Sequence, residues 1–405
     1  MLSGKVQERS SGSFFQNLAK VLRQNIRDYG MFIALFVIMT IFGITTNGVF
    51  LSSRNLSNLL NQTGYIAVLA VGMTLVIVIR HIDLSVGFLA GFLGAVAAIA
   101  MVQWGLPAIV VVPLVLALGA CAGLLTAFPV AQLGIPSFVA SLAGWLIYRG
   151  LLQLSTARTG TIIIPNPGFN AIGNGFIPDL PIGGVFEGLH VLTLLIGLVA
   201  IGLYINSALS SRRKKVAYGF EVMPADIFIL QLVFVSGLIG AITWILAGYN
   251  GLSWTVVIVL IVVGIYHFVT TQTVLGRHIY AVGGNPDAAE LSGISVKRIT
   301  YIVFGSMGLL SALSGVLFAS RLQSATTTAG TLFELDAIAA AYVGGVSAAG
   351  GVGRVTGSII GALVMLSLTS GMNLMQVDIS YQYIVRGAVL AAAVIFDVMT
   401  RRAGR

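Results

Sequence analysis

Residues 107–128 read PAIVVVPLVLALGACAGLLTAF, and no charged side chain interrupts this stretch. A helix needs about 20 predominantly apolar residues to cross the hydrocarbon core of a bilayer. Strands of a transmembrane barrel are about ten residues long and alternate in polarity, and this stretch does not alternate. The stretch therefore predicts a membrane-spanning α-helix.

Other stretches on both sides of it have a similar length and composition: 31–50, 62–80, 84–104, 136–156, 189–207, 226–247, 251–270, 299–321, 335–349, 352–373 and 381–399. The stretch 335–349 is short and rich in glycine, so we expect a broken or re-entrant helix there. The predicted fold class is an all-α integral membrane protein, a polytopic bundle of about ten to twelve helices.

The composition of the chain agrees with this class. Hydrophobic residues make up 57% of the 405 residues and charged residues only 9%, with a mean hydropathy of +0.98. Since a soluble domain carries about 25% charged residues, the composition excludes a water-soluble fold. The single cysteine, Cys121, cannot form a disulfide within the chain.

The formal charge of +9 would otherwise suggest a nucleic-acid partner, but the basic residues stand at the ends of the apolar stretches. Basic residues concentrate in cytoplasmic loops of membrane proteins. We therefore expect a cytoplasmic N-terminal segment, 1–30, which does not resemble a cleaved signal peptide, and a cytoplasmic C-terminal tail. The rest, 31–400, is predicted to be one transmembrane domain with an additional hairpin at about 208–250. The basic cluster Arg212–Lys215 and the loop at about 271–299 are then cytoplasmic.

The loop at 271–299 contains signals for a short helix. Gly283 and Gly284 permit a turn, Asn285 can cap a helix and Pro286 suits its first position. Gly293 can end it. A short amphipathic helix between two membrane spans suggests a projection that docks into a cytoplasmic partner. The alternative is a surface helix that only caps the loop.

The longest loop expected outside, 157–189, contains several prolines and glycines. Most connections are only a handful of residues long. We leave two interpretations open, a docking surface for an external partner and a lid on the helix bundle.

Three acidic residues lie in or beside apolar stretches, Asp83, Glu334 and Asp336. Intramembrane acids are functional candidates, but these stand near helix starts, where an acid also serves as a cap. Capping and packing are favoured over a proton relay. Asp83 and Asp336 each precede a stretch rich in small residues, which suggests an inverted repeat.

The further pathway candidates are polar and uncharged, and could equally join helices to one another: Asn61, Gln62, Ser85 and Asn373. The chain contains no GxxxxGKS/T phosphate loop and no catalytic constellation. His190 and His267 have no metal-ligand spacing. The chain is thus expected to be a transport protein without enzyme activity, metal or cofactor.

Nearly the whole chain resembles the permease subunits of bacterial ABC importers for monosaccharides. The resemblance rests on short motifs in the order and spacing of that family: Ala70-Val71-Gly72-Met73-Thr74, Ile82-Asp83-Leu84-Ser85-Val86-Gly87, Ile135-Pro136-Ser137-Phe138, Arg149-Gly150, Gly276-Arg277-His278-Ile279-Tyr280-Ala281-Val282-Gly283-Gly284-Asn285, Ala288-Ala289-Glu290-Leu291-Ser292-Gly293-Ile294, Glu334-Leu335-Asp336-Ala337-Ile338-Ala339-Ala340 and Gly350-Gly351-Val352-Gly353. The additional hairpin at 208–250 is similar to the xylose and multiple-monosaccharide members.

The resemblance implies a homodimer in the bacterial cytoplasmic membrane, with both termini cytoplasmic. It also implies two ATPase subunits that bind MgATP and an external sugar-binding protein. The segment that seats in the ATPase would comprise Gly284, Asn285, Pro286, Asp287, Ala288, Ala289, Glu290, Leu291, Ser292 and Gly293. The implied function is the transmembrane pathway of an ATP-driven importer for a xylose-like monosaccharide.

Three positions depart from the family pattern: Arg80-His81, Thr126-Ala127 and Glu290. Arg80-His81 replaces small or neutral residues, and the sequence gives no account of it. The main alternative function is a proton-coupled secondary transporter of a small polar solute that uses Asp83, Glu334 or Asp336. A permease for branched-chain amino acids is a third possibility, which lacks motif support.

Overall fold

The computed structural model describes residues 26–157, 159–180, 188–220 and 222–403. The predicted cytoplasmic segment 1–30 lies almost entirely outside these residues. The described chain forms fifteen α-helices, here numbered in chain order: α1 (Ile26–Thr45), α2 (Ser53–Val78), α3 (Val86–Val102), α4 (Ala108–Leu133), α5 (Ser137–Thr156), α6 (Pro167–Asn174), α7 (Val191–Ala217), α8 (Ala225–Ala247), α9 (Trp254–Gln272), α10 (Val274–Gly284), α11 (Pro286–Leu291), α12 (Val296–Leu322), α13 (Phe333–Val343), α14 (Val355–Leu374) and α15 (Ile379–Ala403).

Each predicted apolar stretch coincides with one of these helices. Eight of the helices are long and apolar enough to cross a bilayer, namely α2, α4, α7, α8, α9, α12, α14 and α15, and α1 and α3 are shorter apolar helices. Helix α5 has 20 residues, but it is less apolar than these. The predicted polytopic helical fold is confirmed.

The stretch around 335–349 is a broken segment, as its glycines suggested. Helix α13 has 11 residues, or about 16 Å, against the roughly 30 Å of a hydrocarbon core. Before it, strand β2 (Ser324–Thr326) pairs with β1 (Thr161–Ile163), which follows α5. After it, the backbone N–H of Gly351 donates to the carbonyl of Val78, the last residue of α2. Helix α13 alone is therefore about half as long as the hydrocarbon core is thick.

Two predicted loops are largely helical. Helix α7 continues to Ala217, so Arg212–Lys215 lie in its last turns, where the partial negative charge of a helix C-terminus attracts cations. Arg212 donates to the carbonyl of Met223 at 2.7 Å. The loop predicted at 271–299 contains α10 and α11 and also the start of α12.

The long loop that follows α5 is partly ordered by packing. Helix α6 buries Phe169 completely, and the side chain of Asn174 donates to the carbonyl of Ser320 at 2.8 Å. Residues 181–187 lie outside the described part of the chain. This packing favours a covering role for the first half of the loop, and the two interpretations of the whole loop stay open.

The contacts divide the chain into two compact units. The described part of the first comprises 26–30, 52–57, 177–180, 188–220 and 222–252, where α7 and α8 form a hairpin and Gly197 packs against Thr243. The second comprises 31–51, 58–176 and 253–405. Its core contains α2, α12 and α13, with Leu69 and Phe304 among the fully buried side chains.

Glycine backbones hold α4 and α12 together in the second unit. A Cβ atom added to Gly308 would meet the carbonyl oxygen of Gly119, and one added to Gly119 would meet that of Gly308. A Cβ on Gly123 would meet the carbonyl of Phe304. Small residues let membrane helices approach this closely, so these glycines serve the packing of α4 against α12.

The substitution Gly308→Ala is expected to destabilise the protein by about 1–3 kcal/mol, because α4 and α12 must separate to admit the methyl group. The matched control is Gly264→Ala on α9, since a Cβ there meets no atom within 4 Å. Thermal unfolding of the detergent-solubilised protein measures both. Equal melting temperatures for the two variants would contradict the role assigned to this contact.

Candidate functional site

The segment 274–293 projects two short helices between the membrane spans α9 and α12. The side chain of Asn285 caps α11 by accepting a hydrogen bond from the N–H of Ala288 at 3.1 Å. Pro286 occupies the first turn and lacks the N–H that would have no partner there. Gly293 has φ +82°, a left-handed conformation that suits the residue after a helix end. The cap, the start and the end of α11 are where the sequence predicted them.

Helix α11 offers an exposed surface with an apolar tip. Leu291 is 91% exposed, whereas Ala289 is only 4% exposed and packs against the core of the second unit. Asp287, Ala288 and Glu290 are exposed. A leucine this exposed on an ordered six-residue helix marks a surface suited to a protein partner.

Arg80 anchors this segment to the end of α2. Its Nε donates to the carbonyl of Gly283 at 2.7 Å, and its guanidinium also donates to the carbonyl of Gly284. Hydrogen bonds from charged donors contribute about 1.5–3 kcal/mol each. Arg80 has φ +67°, a conformation that is unfavourable for a residue with a Cβ. These bonds account for the departure at Arg80 that the sequence left unexplained.

A glycine-rich loop after α13 completes the assembly. Gly350 and Gly351 have φ +80° and +70°, and a Cβ on Gly350 would collide with the Arg80 side chain. The hydroxyl of Tyr280 on α10 donates to the carbonyl of Gly353 at 2.6 Å. We call Arg80, α10, α11 and the loop 350–353 the coupling assembly.

Asp83 and Ser85 shape the start of α3. The Asp83 carboxylate accepts hydrogen bonds from the backbone N–H of Ser85 at 2.9 Å and from its hydroxyl at 2.6 Å. Both side chains are buried, and the preceding N–H of Ile82 donates to the Ser137 hydroxyl at 3.2 Å. The geometry is that of a capped turn, as the sequence favoured.

Glu334 and Asp336 lie on α13 and have different partners on two other helices. Glu334 is 4% exposed, and its Oε1 accepts a hydrogen bond from Trp145 Nε1 of α5 at 3.0 Å. Asp336 forms an ion pair with Arg386 of α15. This part-buried ion pair joins α13 to α15.

The uncharged candidates do not come together. Asn61 is buried and accepts a hydrogen bond from the Ser253 hydroxyl, which caps α9. Gln62 is exposed. Asn373 is exposed and accepts from Gln382 at 2.8 Å. Asn61 and Asn373 therefore join segments of the chain, and a role for any of the three in the pathway stays a prediction.

Two carboxylates outside the membrane-spanning helices stabilise helix starts. The N–H groups of Leu192 and Val191, at the start of α7, lower the pKa of Asp179. Ser380 lowers the pKa of Asp378 before α15. Both groups are ionised at neutral pH, where a negative charge at a helix N-terminus is favourable.

Four residues with notable contacts received no role from the sequence: Arg80, Trp145, Arg149 and Arg386. The signal was available for Arg149 and Arg386, because each is a basic residue inside an apolar stretch. Trp145 gave no such signal, because its role depends on a contact with a residue 189 positions away. Among the described residues, no group of His, Cys, Asp and Glu could hold a metal ion.

The comparisons with known proteins cover nearly the whole chain. The family described as branched-chain amino acid transport system / permease component matches residues 55–394. The xylose transport system permease protein of Haemophilus influenzae is 40% identical over 95% of this chain and 99% of its own length. That of Escherichia coli is 40% identical over 93% of each chain, and the E. coli ribose import permease protein is 36% identical over 90% of this chain and 92% of its own. No solved structure matches the chain.

The substitution Arg80→Asn should loosen the coupling assembly without unfolding the protein. Asparagine tolerates the left-handed backbone of Arg80, but its side chain is too short to reach Gly283 and Gly284. Loss of these bonds, about 1.5–3 kcal/mol each, is expected to raise hydrogen exchange in α10 and α11 by about tenfold or more. Hydrogen–deuterium exchange with mass spectrometry measures this. Arg277→Asn on exposed α10 is the control, and equal exchange in both variants would contradict the anchoring role.

Proposed function

Because the chain belongs to the family of permease components described as branched-chain amino acid transport system permeases, we propose that it forms the transmembrane pathway of an ATP-driven monosaccharide importer. The relatives named above are permeases for xylose and ribose, which supports a pentose or a related sugar as the substrate. The membrane is the bacterial cytoplasmic membrane. Catalysis of ATP hydrolysis is assigned to a separate chain that binds MgATP.

The exposed helix α11 carries the proposal of an ATPase partner. With six residues at about 1.5 Å each, α11 is only about 9 Å long, which is too short to cross a membrane. Its apolar tip at Leu291 is exposed to solvent. The bonds from Arg80 and Tyr280 join the adjacent helix α10 to the end of α2 and to the loop before α14. A movement imposed on α11 is thereby passed to membrane-spanning helices rather than absorbed by a flexible loop.

The remaining partners follow from the same proposal. A second copy of the chain completes the pathway, and a sugar-binding protein delivers the substrate from outside. The basic residues at the end of α7 and around α10 support a cytoplasmic location for both, because basic residues concentrate in cytoplasmic loops. The two termini are then cytoplasmic as well.

A proton-coupled transporter is less well supported by the acids. The Asp83 carboxylate accepts hydrogen bonds from Ser85, and Asp336 is ion-paired with Arg386. A carboxylate that relays protons must exchange them during each cycle, and a relay through either acid would have to break these structural contacts. Glu334 accepts a hydrogen bond from Trp145 and lies against Gly87 at the start of α3.

The energy source separates the two functions directly. We expect uptake of radiolabelled D-xylose or D-ribose by cells that express the whole system to persist when an uncoupler dissipates the proton gradient, provided that ATP is maintained. Depletion of ATP with the gradient preserved should abolish uptake. The opposite pattern would favour the proton-coupled transporter.

The substitution Leu291→Asp should reduce recovery of the ATPase with the permease by about tenfold or more, because a charge replaces the apolar tip that a partner pocket would desolvate. Affinity purification from native membranes in mild detergent, followed by mass spectrometry, measures this. Ala289 is unsuitable for this test because it is buried, and its replacement would disturb the segment itself.

Phe220→Asp provides the control. Phe220 is 64% exposed in the short connection between α7 and α8, which the charge pattern also places in the cytoplasm. The Phe220→Asp variant should leave recovery of the ATPase unchanged. If Leu291→Asp also leaves recovery unchanged, α11 is not the docking element.

A further inference from the structure

Arg149 lies deep in α5 and is exposed on the surface of the chain. Seven residues of the helix follow it, 150–156, so it lies about 10 Å from that end. The other end of the helix is farther away. An exposed arginine at this depth requires either a route to the membrane surface or a polar environment within the membrane.

The side chain does not take the shorter route to the membrane surface. Its guanidinium carbon lies 5.3 Å from the ring centre of Trp145, one turn earlier on α5, and 5.7 Å from that of Phe88 on α3. The guanidinium thus points away from the nearer end of α5 and towards the interior of the membrane. An arginine that extends to the lipid headgroups would point the other way.

The contacts within the chain do not compensate for this charge. No carboxylate among the described residues pairs with Arg149. The two rings stabilise the charge, but the guanidinium carries five N–H donors, and none of them has a hydrogen-bond acceptor among the described residues. The exposed side of Arg149 therefore faces water or a polar molecule and not lipid.

The neighbouring Trp145 is held in one orientation. Its Nε1–H donates to Glu334 Oε1 at 3.0 Å, and its ring packs edge-on against Phe88 with 4.9 Å between ring centres. The side chain of Trp145 is partly exposed beside Arg149. In the part of the chain that the structure describes, Glu334 Oε2 is buried and has no hydrogen-bond partner.

From this geometry we infer that Arg149 and Trp145 form a sugar-contact site on the wall of a water-filled pathway along α5. The inference rests on the proposed function for the identity of the solute. A monosaccharide combines hydroxyl groups, which accept hydrogen bonds from the planar guanidinium, with an apolar face, which packs on an aromatic ring. The pair offers both surfaces side by side.

Water access is tested first, and this test does not depend on transport. In the complete complex with Cys121→Ala, the variant Arg149→Cys should react with a membrane-impermeant charged thiol reagent, and D-xylose in excess should slow the reaction relative to betaine of equal osmolality. The control Leu125→Cys, on the apolar outer face of α4, should not react. If Arg149→Cys is unreactive, or instead forms a disulfide with a second copy, the site is not in a water-filled pathway.

Uptake of radiolabelled D-xylose and D-ribose then tests the sugar contact. Arg149→Lys keeps the charge but loses the planar fork of donors, and it should lower the maximal uptake rate by about tenfold or more. Recovery of the ATPase in the affinity purification should not change. Trp145→Phe should have a smaller effect because the aromatic surface remains. Wild-type uptake by Arg149→Lys would overturn the inference, whereas absence of uptake by the unmodified complex would overturn the proposed function and leave the accessibility result standing.

Discussion

A bilayer offers no water to satisfy the N–H and C=O groups of the backbone, and every break in a helix must therefore find its bonds inside the protein. The breaks of this chain obey that constraint at specific places. The buried carbonyl of Val78 accepts a hydrogen bond from the N–H of Gly351, and the carbonyl of buried Gly283 accepts one from Arg80. These bonds join the end of α2, the end of α10 and the segment after α13, because each supplies a hydrogen-bond donor or acceptor that another needs.

This constraint also gives the coupling assembly its stiffness. A surface helix joined only by flexible loops would move without consequence for the membrane-spanning helices. Here α10 is bonded to the end of α2 through Arg80 and to the loop before α14 through Tyr280. Arg80 retains an unfavourable left-handed backbone at φ +67°, which persists because the surrounding contacts determine it. The energetic cost of this backbone conformation at Arg80 is offset by the contacts that connect α2, α10 and the loop before α14.

The sequence predicted those features that depend on local chemistry. The length of apolar stretches located every long helix, and the order Asn285-Pro286 followed by Gly293 located α11, because caps and turns are decided by neighbouring residues. The end of α7 was misplaced because Arg212–Lys215 are compatible with either a helix or a loop. The partners of Glu334 and Asp336 could not be foreseen from one sequence, since Trp145 and Arg386 are distant along the chain. In the sequence, Arg80 stood out only as a departure from the family pattern, with no physical explanation.

The two arginines within apolar helices show how the same residue type serves opposite purposes. Arg386 on α15 is neutralised by Asp336, so that pair stabilises the bundle and leaves no free charge for a solute. Arg149 on α5 has aromatic neighbours and no paired carboxylate among the described residues. An arginine that only packs within a membrane needs a counter-charge or acceptors for its N–H donors. Arg149 has neither among the described residues, and this difference from Arg386 is the basis for assigning it to the pathway rather than to packing.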